Sequence, residues 1–390
     1  MSTFLSMKIK KIFKIFLKGI SSIFLLLLFI IGLFYFPTSI YNFPPEMKFV
    51  GDKVYNPYQN ISDSVYRANF HAHTVAWKGV TSGHNTEKDV YDGYTNKGYQ
   101  IAGISNYHNI SNYAENLTDL YIPVYEHGYN VLKSHYLVLN AKEVSFFDFP
   151  LFQTSSHQQK VIDKIKKKND LLVIAHPKFG GGRTFENMKN LVNYEFTEVL
   201  NHYRTSDEYW DKALSAGRLT WILANDDTHD LRDDFTYRIW NIIYSDQRNR
   251  DTIVQNLKKG MNYGVKSFNG TVDNQLLKCT DNGNLSYTFS FKQPVDTTEF
   301  IGQDGLIKKI AVNSDTAEYR FLGDDTYIRV VAKNKNSIIY MNPLVRYDGQ
   351  KIPYCDDLKA DENILLTWIF RLILGFVLFI LVLLLKRLFY

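Results

Sequence analysis

Two long apolar runs bracket this chain, Ile20 to Phe36 and Ile364 to Leu385, the second interrupted only by Arg371. Each predicts a helix that crosses a bilayer, which takes about 20 residues, with flanking aromatics and Lys18 completing the shorter one. From Tyr66 onward, short β-like runs alternate with helical stretches. The runs are Tyr66 to Phe70, Ile101 to Ser105, Tyr121 to Tyr125, Tyr136 to Asn140, Leu171 to Ala175, Thr197 to Leu200 and Trp221 to Ala224. Helix ends are legible between them. Thr86 and Asp89 have the spacing of a capping box and Gly98 closes that helix, while Ser206 stands where a helix ended by Gly217 would begin. Such alternation predicts an α/β unit with a largely parallel sheet or barrel. After about Gly270 the texture changes to strands joined by Gly, Asp and Asn turns ("LSYTFSFKQ", "EYRFLGDD", "TYIRVVAKN"), which predicts a small all-β sandwich. The expected organisation is a basic tail (1–19), a spanning helix (20–36), a linker (37–59), the α/β unit (60–268), the β module (269–357) and a second spanning helix (364–385).

Composition agrees with a globular body between membrane anchors: 390 residues with 45% hydrophobic and 22% charged content can bury more than one core. The first apolar run is followed by PTSIYNFPPE, without a small-x-small cleavage site, so an uncleaved anchor is expected. Arg371 lies within snorkelling reach of an interface and need not mark an ion path. Lys8, Lys10, Lys11, Lys14 and Lys18 precede the first span, and Lys386 and Arg387 follow the second. By the positive-inside rule both termini are then cytoplasmic and the main body extracytoplasmic, periplasmic or at the cell surface in a bacterium. Without Arg371 and those seven terminal residues, 37 basic residues face 40 acidic ones, so no nucleic-acid footprint is present. Cys279 and Cys355 fall in the oxidising compartment on this topology, where spacing leaves their pairing open. Abundant aromatics, 27 Tyr and 27 Phe, fit a packed core and a bilayer interface better than a sugar-binding platform.

The chemistry is suggested by position. His71 and His73 follow the first predicted strand, Asn106 and His108 the second, Glu126 and His127 the third, His176 the fifth, Asn201 and His202 the sixth, and Asp226, Asp227 and His229 the seventh. Strand ends of a parallel barrel converge on one rim, where residues distant in sequence meet. Imidazole and carboxylate suit Zn, Mn or Fe, and a carboxylate can bridge two ions.

These residues also carry a resemblance. "FHAH" after a first strand, an acid after a third, "VIAHP" after a fifth and "ANDDTHD" after a seventh resemble the polymerase and histidinol phosphatase (PHP) superfamily of metal-dependent phosphoesterases, over about residues 60 to 265. The resemblance implies a distorted seven-stranded, TIM-like β/α barrel. It also implies two divalent ions, with His71, His73 and Asp227 on the first, His135 and His176 on the second, and Glu126 bridging them. Asp227 fits better than Asp226 because the family pattern is Asp-x-His and only Asp227 stands two before His229. Two departures are visible. Asn106 and Tyr107 in "ISNYHNI" stand where the family has an acid and a histidine, and "WKGVTSGH" lacks an aspartate found in many members. Those residues, with the histidine of Asp-x-His, build a third metal site in some members; here two ions are expected, with His84 or His108 as substitutes if a third is filled.

Ions bridged in this way lower the pKa of a shared water and receive a phosphoryl oxygen. Asp227 and His229 are the candidate catalytic residues, His229 doubling as a metal ligand and as a proton donor to the leaving oxygen. Lys178, Arg183, His127, His202 and Arg204 are candidates for holding phosphate, and Gly180, Gly181 and Gly182 would let backbone approach a ligand. The expected activity is a membrane-anchored phosphoesterase acting on a phosphate-containing small molecule or lipid-linked substrate. The competing expectation is a catalytically reduced metal-binding module whose β part recognises a polysaccharide or protein. A third is hydrolysis of an amide or phosphodiester by the same metals.

Overall fold

A computed structural model of the chain describes residues 2–81 and 83–389, and forms two compact units, 1–42 with 361–390 and 43–360. The first unit holds helices Ser2–Tyr35 and Ile364–Phe389. Within them Ile12–Tyr35 and Ile364–Leu388 are long and apolar enough to cross a membrane. They pack closely, since a Cβ on Gly32 would meet Leu378 Cδ2 at 2.7 Å. A two-residue ladder, Tyr41–Asn42 against Asp361–Glu362, joins their ends, and Arg371 Nε donates to the Thr38 carbonyl at 3.1 Å. Lys8, Lys10 and Lys11 belong to the part of the first helix whose side chains lie outside the description.

The second unit is mixed α/β, with one eleven-stranded and one five-stranded sheet, both open. All seven strands expected from the alternating pattern are present, the third shifted to Val124–His127 and the second reduced to Ile101–Ala102. The five-stranded sheet runs from Val124–His127 through Tyr136–Leu139, Leu171–Ile174 and Phe196–Asn201 to Trp221–Asn225. Its first two pairings are antiparallel and its last two parallel. Val65–Asn69 and Ile101–Ala102 pair in parallel within the other sheet.

A closed seven-stranded barrel is not formed, and the reason is local. The free edge of Val65–Asn69 is taken by the antiparallel strand Ile239–Tyr244, with Asn241 opposite Ala68, so it cannot ladder against Trp221–Asn225. The two sheets meet at one end through the isolated bridges Ala72 to Thr228 and Tyr107 to Glu126. The β-rich segment after Gly270 differs from expectation too. It does not keep to a sheet of its own, because Ser337–Met341 pairs with Asn262–Ser267 and prolongs the eleven-stranded sheet. A bidentate ion pair ties this extension to the α/β part: Arg329 Nε and Nη2 donate to Asp211 Oδ1 and Oδ2 at 2.7 and 2.6 Å, from strand Tyr327–Lys333 to helix Asp207–Ser215.

Helix ends follow local chemistry. Thr86 and Asp89 form the capping box expected of them. Ser206 holds the N-cap position of Asp207–Ser215 but makes no cap bond; its hydroxyl instead accepts from Lys178 N at 3.3 Å. Gly217 follows that helix at φ +78°, a conformation open to glycine. Apolar residues of both sheets and the helices, among them Phe70, Leu137, Val173, Phe196, Trp210, Trp221 and Leu257, share one core. Cys279 and Cys355 are both buried and free.

Candidate metal centre

The polar cluster forms where the two sheets meet. His71 and His73 leave the strand Val65–Asn69 two residues apart, so both face the same way. The neighbouring loop grips them through backbone: His73 N donates to Thr228 O at 2.8 Å, and Asp227 N to His71 O at 2.9 Å. Two buried asparagines lock this crossing, Asn225 Oδ1 accepting from Phe70 N and Asn69 Oδ1 from Asp226 N. His176 and Asp227 both adopt positive φ, 27° and 52°. Side-chain-bearing residues pay about 1–3 kcal/mol for such conformations, which persist where surroundings impose them.

Glu126 lies at the centre. Its Oε1 is 2.8 Å from His135 Nδ1 and 3.1 Å from His176 Nε2, while its Oε2 is 3.1 Å from His73 Nε2 and 3.4 Å from His71 Nε2. Asp227 Oδ1 lies 3.1 Å from His71 Nε2 and 3.4 Å from His73 Nε2. One carboxylate thus turns each oxygen toward a different histidine pair. Despite these approaches, His71 Nε2, both His73 ring nitrogens and Glu126 Oε2 are buried without a hydrogen bond. Donor atoms about 3 Å apart but misaligned for N–H···O bonding fit ligands around a shared ion, since ion-to-ligand distances near 2.1 Å impose that spacing. Four overlapping trios have ligand atoms within 4.8 Å of one another: His71, His176 and Asp227; His71, His73 and Glu126; His73, Asp227 and His229; Glu126, His135 and His176.

Surrounding groups orient the ligands. Glu198 Oε1 lies 2.9 Å from His71 Nδ1, which places the proton there and leaves Nε2 a lone-pair donor. The other Glu198 oxygen accepts from His176 N at 2.9 Å and Asn201 Nδ2 at 3.1 Å, so one buried acid supports candidate ligands on two loops. Burial works against a charged His71, but Asp227, Glu198 and Glu126 outweigh it and hold the imidazole well above its ordinary pKa. Burial likewise opposes the Glu126 charge, yet His135 and His71 keep that carboxyl well below the usual range. The cluster therefore favours positive charge in a buried site, which a divalent ion would supply without protonating the histidines.

The remaining predicted residues divide sharply. His229 lines a cavity of about 360 Å³ with Asp227, His135 and His176. Its Nδ1 is 3.1 Å from the Asp227 carbonyl, and burial, then His73, pushes its pKa down to about 4. Asp226 points away: its carboxylate accepts from Tyr94 Oη and from the amides of Tyr237, Arg238 and Ile239. His127, next to Glu126 on the strand, faces the opposite side, 3.1 Å from Ser145 O and packed on His108. His202 Nδ1 meets the Asp226 carbonyl and its ring stacks on Phe235. Arg183 is buried, its Nη1 donating to Tyr136 Oη at 3.1 Å and its Nη2 to His135 O at 3.2 Å, so it supports the His135 backbone. Lys178 pairs with Glu208 at 2.5 Å, and Arg204 turns to the Tyr203 carbonyl. The glycine loop approaches protein: a Cβ on Gly182 would meet Leu132 O at 2.4 Å. At the departures from the family pattern, Asn106 binds Thr74 N and Oγ1, and Tyr107 stacks on His73 at 4.9 Å. His108 Nδ1 lies 2.9 Å from the Ser145 carbonyl, and His84, with a side chain 63% exposed, is 4.0 Å from Asp230.

Sequence reasoning missed Glu198, which supports His71 and His176, and Lys133, which lines the same cavity. A lone carboxylate inside the wholly buried run Phe196–Asn201 was the available signal for Glu198, since a charge there needs a partner.

Comparisons with known proteins add a distant likeness. No family model matches this chain, and no curated protein does. Among solved structures it is similar to a two-domain protein containing a predicted PHP-like metal-dependent phosphoesterase from Bacteroides vulgatus ATCC 8482. The identity is 11%, the match covers 82% of this chain and 99% of the other, and the TM-score is 0.38.

Proposed function

We propose that this protein is a membrane-anchored, metal-dependent phosphoesterase with two divalent ions bridged by Glu126. The observation that carries the reading is the division of the Glu126 oxygens, Oε1 toward His135 and His176 and Oε2 toward His71 and His73. Bound Mn, Zn or Fe would supply a water of lowered pKa and a Lewis-acidic contact for phosphoryl oxygens. The chain's own residues do the rest. Asp227 and His71 complete one shell, Glu198 fixes the His71 tautomer, and Glu126 holds the spacing of the two shells. His229, with Nδ1 on the Asp227 carbonyl, keeps Nε2 as a lone-pair nitrogen, which suits a ligand or hydrogen-bond partner better than a proton carrier at neutral pH.

Two ions are favoured over three because Asn106 is committed to Thr74 and His108 to Ser145. The basic residues flanking the apolar helices favour cytoplasmic termini and an extracytoplasmic body, with 60–268 as the hydrolase part and 269–357 as the β-rich part. The test is metal content of the detergent-purified chain alongside hydrolysis of an aryl phosphate with Mn, Zn or Fe, for wild type and Asp227→Ala. Two ions per chain and activity reduced about a thousandfold in the variant are expected, equivalent to about 4 kcal/mol of transition-state stabilisation. Metal without turnover would favour a recognition module, and absence of bound metal would dismiss the centre.

A further inference from the structure

The cavity in front of the cluster has a side that the metal chemistry does not use. Phe179 and Tyr203 stack there with ring centroids 4.7 Å apart and planes 28° apart, and Lys133 Nζ lies 4.8 Å from the Phe179 centroid. All three residues line the same cavity as His135, His176 and Asp227. We propose that Lys133, Phe179 and Tyr203 form a specificity subsite for a phosphate ester whose leaving group is a flat ring bearing a second anionic substituent. This rests on the phosphoesterase reading for the identity of the reacting group.

Three observations support the assignment. The first is charge. Lys133 is the one lysine or arginine lining the cavity, and among the described residues no carboxylate lies within 4.0 Å of its ammonium. Lys178 is neutralised by Glu208, and Arg183 is buried behind His135. An exposed ammonium over one ring face makes a weaker contact than a charge-assisted hydrogen bond, so an arriving anion would take it over.

The second is rigidity. Lys133 sits at φ 57°, in a turn closed by Lys133 N to Asn130 O at 3.1 Å and Ser134 N to Asn130 Oδ1 at 2.9 Å. Ser134 Oγ then donates to Gly182 O at 2.8 Å, fastening that turn to the glycine loop. On the wall itself, Phe179 N donates to His176 O at 2.8 Å and Tyr203 N to Asn201 Oδ1 at 3.0 Å. The wall and the lysine are therefore held by the same loops that carry metal-facing residues. The third is size, because a cavity of about 360 Å³ has room for a phosphoryl group together with a ring.

The experiment compares phenyl phosphate with 3- and 4-carboxyphenyl phosphate, as ligands by calorimetry and as substrates, on the Mn-loaded full chain in detergent. Wild type is expected to bind one carboxylated isomer about tenfold more tightly than phenyl phosphate, the size of one charge-assisted hydrogen bond at a half-open site. Lys133→Met should abolish that preference, weakening the favoured carboxylated isomer about tenfold more than phenyl phosphate, and Lys133→Arg should retain it. Equal binding of all three ligands by wild type would overturn the subsite, as would equal weakening of all three by Lys133→Met, which would put the lysine on the reacting phosphoryl group. The preference without hydrolysis would keep the subsite and dismiss the hydrolase; hydrolysis without the preference would do the reverse.

Discussion

Two buried sites carry opposite charges on facing side chains, and they resolve the cost of burial differently. Between Asp211 and Arg329 each carboxylate oxygen receives an aligned N–H and Tyr327 Oη adds a further donor, so the carboxylate is satisfied, while Arg329 Nη1 is left without a hydrogen bond. Around Glu126 the facing atoms lie 2.8–3.4 Å apart, and several have no hydrogen bond. Close opposite charges are therefore not enough to identify a structural ion pair; alignment of the facing atoms separates a satisfied carboxylate from one with an oxygen left over.

That contrast can be broken or sharpened by substitution. Arg329→Met leaves Asp211 buried and unpaired and should cost about 3–5 kcal/mol of unfolding free energy in denaturant titration, with metal content unchanged. Adding Asp211→Leu should recover most of that loss. Glu198→Gln should behave in the opposite way, preserving the fold while weakening metal retention about 10–100-fold in chelator competition, because the amide no longer fixes the His71 tautomer. Equal loss of stability in both variants would erase the distinction. Glu195 gives an intermediate case. It has Lys166 and the Leu172 amide as partners, yet burial pushes its pKa from 4.5 up to about 7. The folded state then binds the extra proton between those values, so this group's contribution is fully present below pH 4.5 and is lost as pH rises through 7. Glu195→Gln should flatten that dependence by on the order of 1 kcal/mol, read as the difference in stability between pH 5 and pH 8.

Much of this was legible because strand-end position is written in the sequence. His71, His73, Glu126, His176, Asp227 and His229 stand at or just past the ends of apolar runs, and all recur in the ligand trios. His135 looked misplaced because it precedes its strand. Tyr136–Leu139 runs antiparallel to both neighbours, which brings the residue before it to the end where the others exit. Fully buried strands lack the alternation that would reveal direction, so the antiparallel pairings, and with them the open sheets, were hidden. Where the basic side chains come to lie was hidden for a related reason: the sequence does not separate Arg183, folded beneath His135, from Lys133, which faces the cavity.

The meeting of the sheets has a mechanical consequence. His71 and His73 stand beyond a strand of one sheet, whereas Glu126, His135, His176 and Asp227 belong to the strands and loops of the other, and two isolated bridges join them at this end. Ions held there would act as rivets across a seam, so that loading the centre would stiffen the joint between two sheets that already share one core. Amide exchange at His73 and Asp227, whose N–H groups cross that seam, would then report occupancy directly.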